Sequence, residues 1–137
     1  MFMQTPVTHA LRVLLVEDSR VLTERISEAI GQISDVELIA TVDNEPAAVA
    51  AAKRDQVDVM ILDLHLKQGT GFGVMRALAN IPARPCFVIL TNYDLPEYKS
   101  AAMALGARYF LDKARDYDRL PDVLKEISDT RRSTLNS

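Results

Sequence analysis

Val57-Asp58-Val59-Met60-Ile61-Leu62-Asp63 runs into the loop Leu64-His65-Leu66-Lys67-Gln68-Gly69-Thr70-Gly71, and this passage decides the fold. Its apolar run predicts a buried strand. The carboxylate of Asp63 closes that strand, at the place where an α/β sheet keeps its ligand crevice. Three other runs end in the same manner. Arg12-Val13-Leu14-Leu15-Val16 leads into Glu17-Asp18, Cys86-Phe87-Val88-Ile89-Leu90 into Thr91, and Tyr109-Phe110-Leu111-Asp112 into Lys113.

Working outward, apolar runs alternate with helical patterns five times. That alternation predicts successive βα units around a parallel sheet. The first helix is expected to start at Ser19, a good N-cap residue, with Val21, Leu22, Ile26, Ala29, Ile30 and Ile33 on one face. A strand over Val36–Thr41 precedes a helix capped by Asn44, with Pro46 in its first turn. Further helices are predicted over Phe72–Ala79 and over Pro96–Ala104, the latter opened by Asp94 and Pro96. The last begins near Leu120-Pro121 and carries Leu120, Val123, Leu124 and Ile127 as an apolar stripe. Residues 1–10 read as an N-terminal extension, 11–130 as one domain, and 131–137 as a polar tail expected to fray. Right-handed crossovers place every strand's C-terminal end on one edge of the sheet. Glu17, Asp18, Asp63, Thr91 and Lys113 all fall on that edge.

A chain of 137 residues, 48% hydrophobic and 26% charged, fits one soluble domain that buries a core without staples. Net charge is −3 and no Lys/Arg run exceeds two residues, which argues against direct binding of nucleic acid. The first ten residues lack the basic start and apolar stretch of a signal peptide. No stretch approaches membrane-spanning length, so the expected location is cytoplasmic, with no membrane partner. Cys86 is the only cysteine, which precludes an intrachain disulfide; within its apolar run it reads as a buried thiol.

Each residue at the strand exits has a plain reading when taken alone. Glu17 and Asp18 could cap the first helix, Asp63 could be a turn residue, Thr91 a strand terminator and Lys113 a solvated lysine. Together they suit one chemistry. Clustered carboxylates need a proton or a cation between them, and hard oxygen ligands suit magnesium. A carboxylate beside such a cation can act as nucleophile toward an activated phosphoryl group. Lys113 would add a point positive charge and Thr91 a neutral hydrogen bond. His65 has no second histidine or cysteine nearby, which argues against zinc.

These residues resemble the receiver domain of bacterial two-component response regulators, from about Leu11 to Ile127. Arg12-Val13-Leu14-Leu15-Val16-Glu17-Asp18 looks like the family's first strand and acidic pair, and Met60-Ile61-Leu62-Asp63-Leu64 like its phosphoacceptor strand, with Gly71 after the loop. Ile89-Leu90-Thr91 and Gly106-Ala107 through Phe110-Leu111-Asp112-Lys113 match the switch-hydroxyl and lysine segments. The resemblance implies a doubly wound, flavodoxin-like sheet of five parallel strands in the order 2-1-3-4-5. It implies that Asp63 accepts a phosphoryl group from a histidine kinase or histidine phosphotransfer protein, in a reaction the domain catalyses itself. Magnesium would be held by Asp18 and Asp63, by Glu17 through water, and by the backbone carbonyl of His65. Thr91 and Lys113 would contact the phosphoryl oxygens, and Thr91 with Phe110 would form the switch. His65 and Tyr93 occupy positions that influence phosphoryl lifetime. The expected output is binding of a protein partner through the fourth helix, fifth strand and fifth helix, where Tyr98, Lys99, Arg108, Tyr109 and Arg115 are expected at the surface. The expected molecule is a monomer or weak homodimer.

Three residues depart from the family pattern: Ala114 where proline commonly follows the lysine, Asn92 after the threonine, and Lys67 in the loop after Asp63. The first expectation is a stand-alone receiver. An alternative is a receiver cut from a longer DNA-binding regulator. An aspartyl-nucleophile, metal-dependent phosphatase would place a second aspartate where His65 stands, and a flavodoxin-like cofactor binder would not place Glu17-Asp18 against a phosphate.

Overall fold

Successive strand residues point to opposite faces, and in this chain both faces are apolar, so helices are required on each. The computed structural model describes residues 9–136, with side chains through Arg132. Most of the expected N-terminal extension, and Ser137, lie outside the described residues. The chain order is β1 (Leu11–Val16), α1 (Arg20–Gly31), β2 (Val36–Val42), α2 (Glu45–Arg54), β3 (Val59–Leu62), α3 (Gly71–Ala77), β4 (Cys86–Thr91), α4 (Pro96–Ala104) and β5 (Ala107–Asp112). A 3₁₀ turn (Tyr117–Arg119) then leads into α5 (Leu120–Asn136). The five strands form one sheet in the order β2-β1-β3-β4-β5, with every neighbouring pair parallel.

The alternation sorts the core into two halves. Leu14, Val16, Met60, Leu62, Phe87 and Ile89 pack with Ala48 and Ala51 of α2, Val74 and Met75 of α3, and Ala102 of α4. Val13, Leu15, Val59, Ile61, Val88 and Leu90 pack with Ile26 and Ile30 of α1 and with Val123, Leu124 and Ile127 of α5. All four β3 residues are buried, as a central strand covered on both sides must be. Cys86 is half-buried rather than fully enclosed, and packs against the second of these cores.

The helix starts follow their capping chemistry. Ser19 accepts from the Leu22 N–H at 3.3 Å, and Asn44 from the Ala47 N–H at 2.9 Å, with Pro46 in the first turn. Four expectations need correction. Val21, assigned to the buried face of α1, is 68% exposed, because the packed stripe is carried by Ile26 and Ile30 one turn further on. The fourth helix takes Leu95 as its cap, with no side-chain bond; proline at the first helical position starts it without one. The third helix is Gly71–Ala77 rather than Phe72–Ala79, since Thr70 caps it by accepting from the Gly73 N–H at 3.0 Å. The tail expected to fray continues α5. Arg131 reaches Asp58 at 3.2 Å and Arg132 reaches Asp35 at 2.7 Å, so two polar side chains tie that last stretch to the sheet's N-terminal edge.

Candidate functional site

The C-terminal edge of the sheet gathers the site one strand at a time. The Asp63 N–H donates to the Val16 carbonyl at 3.2 Å, which extends the β1–β3 pairing one residue and fixes where its carboxylate starts. The Glu17 N–H does the same on the other side, donating to the Val42 carbonyl at 2.9 Å. The Lys113 N–H donates to the Thr91 carbonyl at 3.0 Å, so the lysine and the threonine leave the sheet as neighbours.

The side chains then converge. Glu17 and Asp63 are both buried. The Lys113 Nζ lies 2.6 Å from Asp63 Oδ2 and 2.8 Å from Glu17 Oε1. Glu17 Oε2 accepts from the Ser19 N–H at 2.8 Å, and Asp63 Oδ1 from the His65 N–H at 3.3 Å. Asp18 is exposed, yet Glu17, Asp18 and Asp63 each offer an oxygen within 4.8 Å of the others. Thr91 is fully buried, and its hydroxyl accepts from the Tyr93 N–H at 3.1 Å.

Electrostatics follow from this geometry. Burial pushes the Glu17 carboxyl above its ordinary range, and the hydrogen bonds from Lys113 and Ser19 only partly offset it. Burial alone would lower Lys113, but its hydrogen bonds to Asp63 and Glu17 outweigh that and hold the ammonium above its ordinary value. The ammonium gains from two anionic partners, whereas Glu17 is dominated by its own burial. The donor set is all carboxylate oxygen, two of the three groups are buried, and among the described residues no sulfur or imidazole joins them. That composition fits magnesium rather than zinc.

Around this centre lies an aromatic wall. The His65 and Tyr93 rings stand 5.6 Å apart and tilted, Tyr93 meets Tyr98 edge-on at 6.1 Å, and Tyr98 meets Phe72 at 6.3 Å. These rings, with Leu64 and Thr70, line a hollow of about 280 Å³. Phe110 is half-buried against the core beneath α4. Of the residues expected at the α4–β5–α5 surface, Lys99, Arg108 and Arg115 are exposed, whereas Tyr98 and Tyr109 are half-buried. Burial, reinforced by the Glu126 carboxylate, pushes the Tyr109 hydroxyl above its ordinary value.

Two of the three departures from the family pattern have local explanations. Lys67 donates its N–H to the Asp43 carbonyl at 3.2 Å, a bond that proline cannot make. The Lys113–Ala114 peptide is trans, and Asp112 shapes this turn instead. Its Oδ1 accepts from the N–H groups of Ala114 at 2.9 Å and Arg115 at 2.8 Å. Asn92 is exposed. Sequence reading missed the role of Asp112, for which an aspartate at the end of a strand-like run was the available signal. It also missed the Phe72–Tyr98 half of the aromatic wall, which no local pattern reveals.

Comparison with known proteins agrees with this geometry. The family profile of the response regulator receiver domain matches residues 13–125. The sensory transduction protein LytT of Enterococcus faecalis is 25% identical over 118 residues, covering 86% of this chain and 48% of LytT. An uncharacterized response regulatory protein of Yersinia pestis is 30% identical over 118 residues, with the same two coverages, 86% and 48%. The chain therefore spans about half the length of the curated relatives it matches. Among solved structures, the response regulatory domain of protein mrkE from Klebsiella pneumoniae superposes with a TM-score of 0.78 at 20% identity, covering 87% of this chain and 96% of that one. At that identity the likeness speaks to the fold alone.

Proposed function

The chain belongs to the response regulator receiver domain family, and from that premise we propose that it is a phosphoacceptor whose Asp63 takes a phosphoryl group from the phosphohistidine of a kinase or phosphotransfer protein. The observation that carries this reading is Lys113, held at 2.6 and 2.8 Å between Asp63 and Glu17, three side chains from three different strand ends. A buried carboxylate beside a fixed ammonium is a ready nucleophile with its counter-charge already in place.

In the proposed transfer, an Asp63 oxygen forms a bond to phosphorus as the phosphorus–nitrogen bond of the donor breaks, and the freed imidazole takes up a proton. Magnesium, where bound by Asp18 and Asp63, by Glu17 through water and by the His65 carbonyl, supplies neutralisation of charge on the phosphoryl oxygens. Lys113 gives up Asp63 Oδ2 and turns to a phosphoryl oxygen. The Thr91 hydroxyl, now taking the Tyr93 N–H, turns inward to donate to another, and Phe110 moves into the space it leaves. His65 and Tyr93 hinder attacking water and lengthen the life of the acyl phosphate. The switched surface of α4, β5 and α5 then binds a protein partner in the cytoplasm, with the domain a monomer or weak homodimer. The domain catalyses both its own phosphorylation and dephosphorylation.

The half-length match to relatives supports a second reading of the whole protein, in which this domain controls an output module beyond Ser137. The chemistry at Asp63 is the same in both, and the reading frame past Ser137 separates them. The test of the chemistry is incubation with magnesium and acetyl phosphate, followed by intact mass. One added phosphoryl group in the parent chain and none in Asp63→Asn is the expected result. Two unmodified spectra defeat the proposal.

A further inference from the structure

We propose that Glu45, at the first turn of α2, is a positioning residue that holds the loop after Asp63 in its working conformation; this rests on the phosphoacceptor reading above. Three hydrogen bonds tie the turn after β2 to that loop. The Lys67 N–H donates to the Asp43 carbonyl at 3.2 Å and the Glu45 N–H to the Gln68 carbonyl at 2.9 Å. The third is made by the side chain: Glu45 Oε1 accepts from the Thr70 N–H at 3.0 Å, across 25 positions of sequence.

Glu45 also occupies space that two glycines leave open. A Cβ at Gly69 would stand 2.5 Å from both the Cβ and Oε1 of Glu45, and a Cβ at Gly73 would run into the same carboxylate. Gly69 in addition has φ +86, a conformation that glycine alone adopts freely. The loop and the carboxylate therefore fit as a pair, and the side chain is a wedge as well as an acceptor.

Holding Thr70 holds the residues nearest the site. His65 and Thr70 form an isolated antiparallel bridge, and the Gly71 N–H donates to the Leu64 carbonyl at 3.0 Å. Gly71 lies so close to the Asp63 carbonyl that no Cβ fits there. The loop is thus closed on itself, with Asp63 and His65 at one end and the Glu45 contact at the other. Among the described residues, the hydrogen bonds of Glu45 to this part of the molecule run to Gln68 and Thr70 and to none of the phosphoryl-handling groups. It acts by removing loop freedom in advance, so that ordering is not paid for when ligand arrives.

The test compares the parent chain with Glu45→Ala, Glu45→Gln, Gly73→Ala and the Glu45→Ala/Gly73→Ala double variant. Magnesium affinity is measured by calorimetry, Thr70 amide exchange by NMR, and Asp63 phosphorylation by mass. Glu45→Ala is expected to weaken magnesium binding about tenfold, the scale seen when a supporting partner of a ligand is lost, and to speed Thr70 exchange. Glu45→Gln keeps the acceptor and the shape, and is expected to behave as the parent does. Gly73→Ala is expected to weaken binding where Glu45 is present and to change little where it is already alanine. Additive losses in that cycle, a Gln variant as impaired as Ala, or unchanged Thr70 exchange in Glu45→Ala would each overturn the inference. Failure of the parent chain to gain a phosphoryl group sinks the phosphoacceptor reading instead, while the exchange and affinity cycle still judges Glu45.

Discussion

Lys113 is one ammonium between two carboxylates, and its side chain is only 12% exposed, against 2% for Glu17 and 5% for Asp63. Removing one member of a buried ion cluster strands the others, at a cost of about 3–5 kcal/mol. Lys113→Met should accordingly lower the unfolding free energy by about 3 kcal/mol, the smaller end of that range because Asp18 opens the site to water. Urea titration measures this directly. A loss below about 1 kcal/mol, the scale of a surface pair, would mean that solvent already screens the cluster. Glu17 gives a second prediction, in pH. Its folded value lies above the ordinary 4.5 because burial dominates, so the folded chain holds this proton more tightly than the unfolded chain does. The contribution of Glu17 is therefore full below 4.5 and declines as pH rises through the folded value. Glu17→Gln removes that decline while keeping an acceptor for Ser19. The stability of the variant relative to the parent is expected to increase as pH rises just above 4.5, and a constant difference across that window would contradict the assignment.

Among the elements, β3 and α2 carry the site from opposite directions. β3 delivers Asp63 and is enclosed on both faces, so Ile61, 1% exposed among the α1 and α5 side chains, leaves a cavity when truncated. Ile61→Ala is expected to cost about 2–5 kcal/mol. Helix α2 instead depends on its start. Asn44 caps it through Ala47 at 2.9 Å, and Asn44→Ala should cost about 1 kcal/mol, with added loosening of the 67–70 loop because the cap and Glu45 are adjacent. Chemical denaturation of both variants checks the ranking: a cap variant less stable than the Ile61 variant would show that the start of α2 outweighs an enclosed β3 core position. The contrast also explains what local sequence could and could not reveal. Ser19, Asn44 and Pro46 announce their helix starts because capping is decided within four residues. Val21 misled because helical periodicity identifies a stripe but not where the neighbouring sheet ends. Arg131 and Arg132 looked like tail because their partners, Asp58 and Asp35, are decided by tertiary contact.

At the scale of the whole molecule, the cluster was legible because a parallel sheet puts every strand's exit on one edge; residue type at four exits was enough to bring Glu17, Asp18, Asp63 and Lys113 together, with Thr91 leaving the sheet beside Lys113. The aromatic wall and the Glu45 wedge were not legible, since both join loops that only the folded sheet brings together. The same architecture sets the route of the proposed switch. Thr91 pairs with Asp112 in register across β4 and β5, and Ile89 pairs with Phe110, so the hydroxyl and the aromatic ring of the proposed switch lie on adjacent strands. Phe110 is half-buried against the core under α4, so it can move without emptying a sealed cavity. A phosphoryl group shifts such an equilibrium only by its differential affinity for the two arrangements, and near-complete switching needs about 5.5 kcal/mol. In the proposed mechanism, part of that differential comes from the Thr91 hydroxyl. Thr91→Ala is therefore expected to accept a phosphoryl group on Asp63, by intact mass, while losing the accompanying change in amide exchange across α4 and β5. Phe110→Ala should lose the β5 part of that change and likewise keep the mass gain. If phosphorylated Thr91→Ala shows the same exchange change as the parent chain, coupling runs through Lys113 or the loop after Asp63, and the Thr91–Phe110 route is wrong.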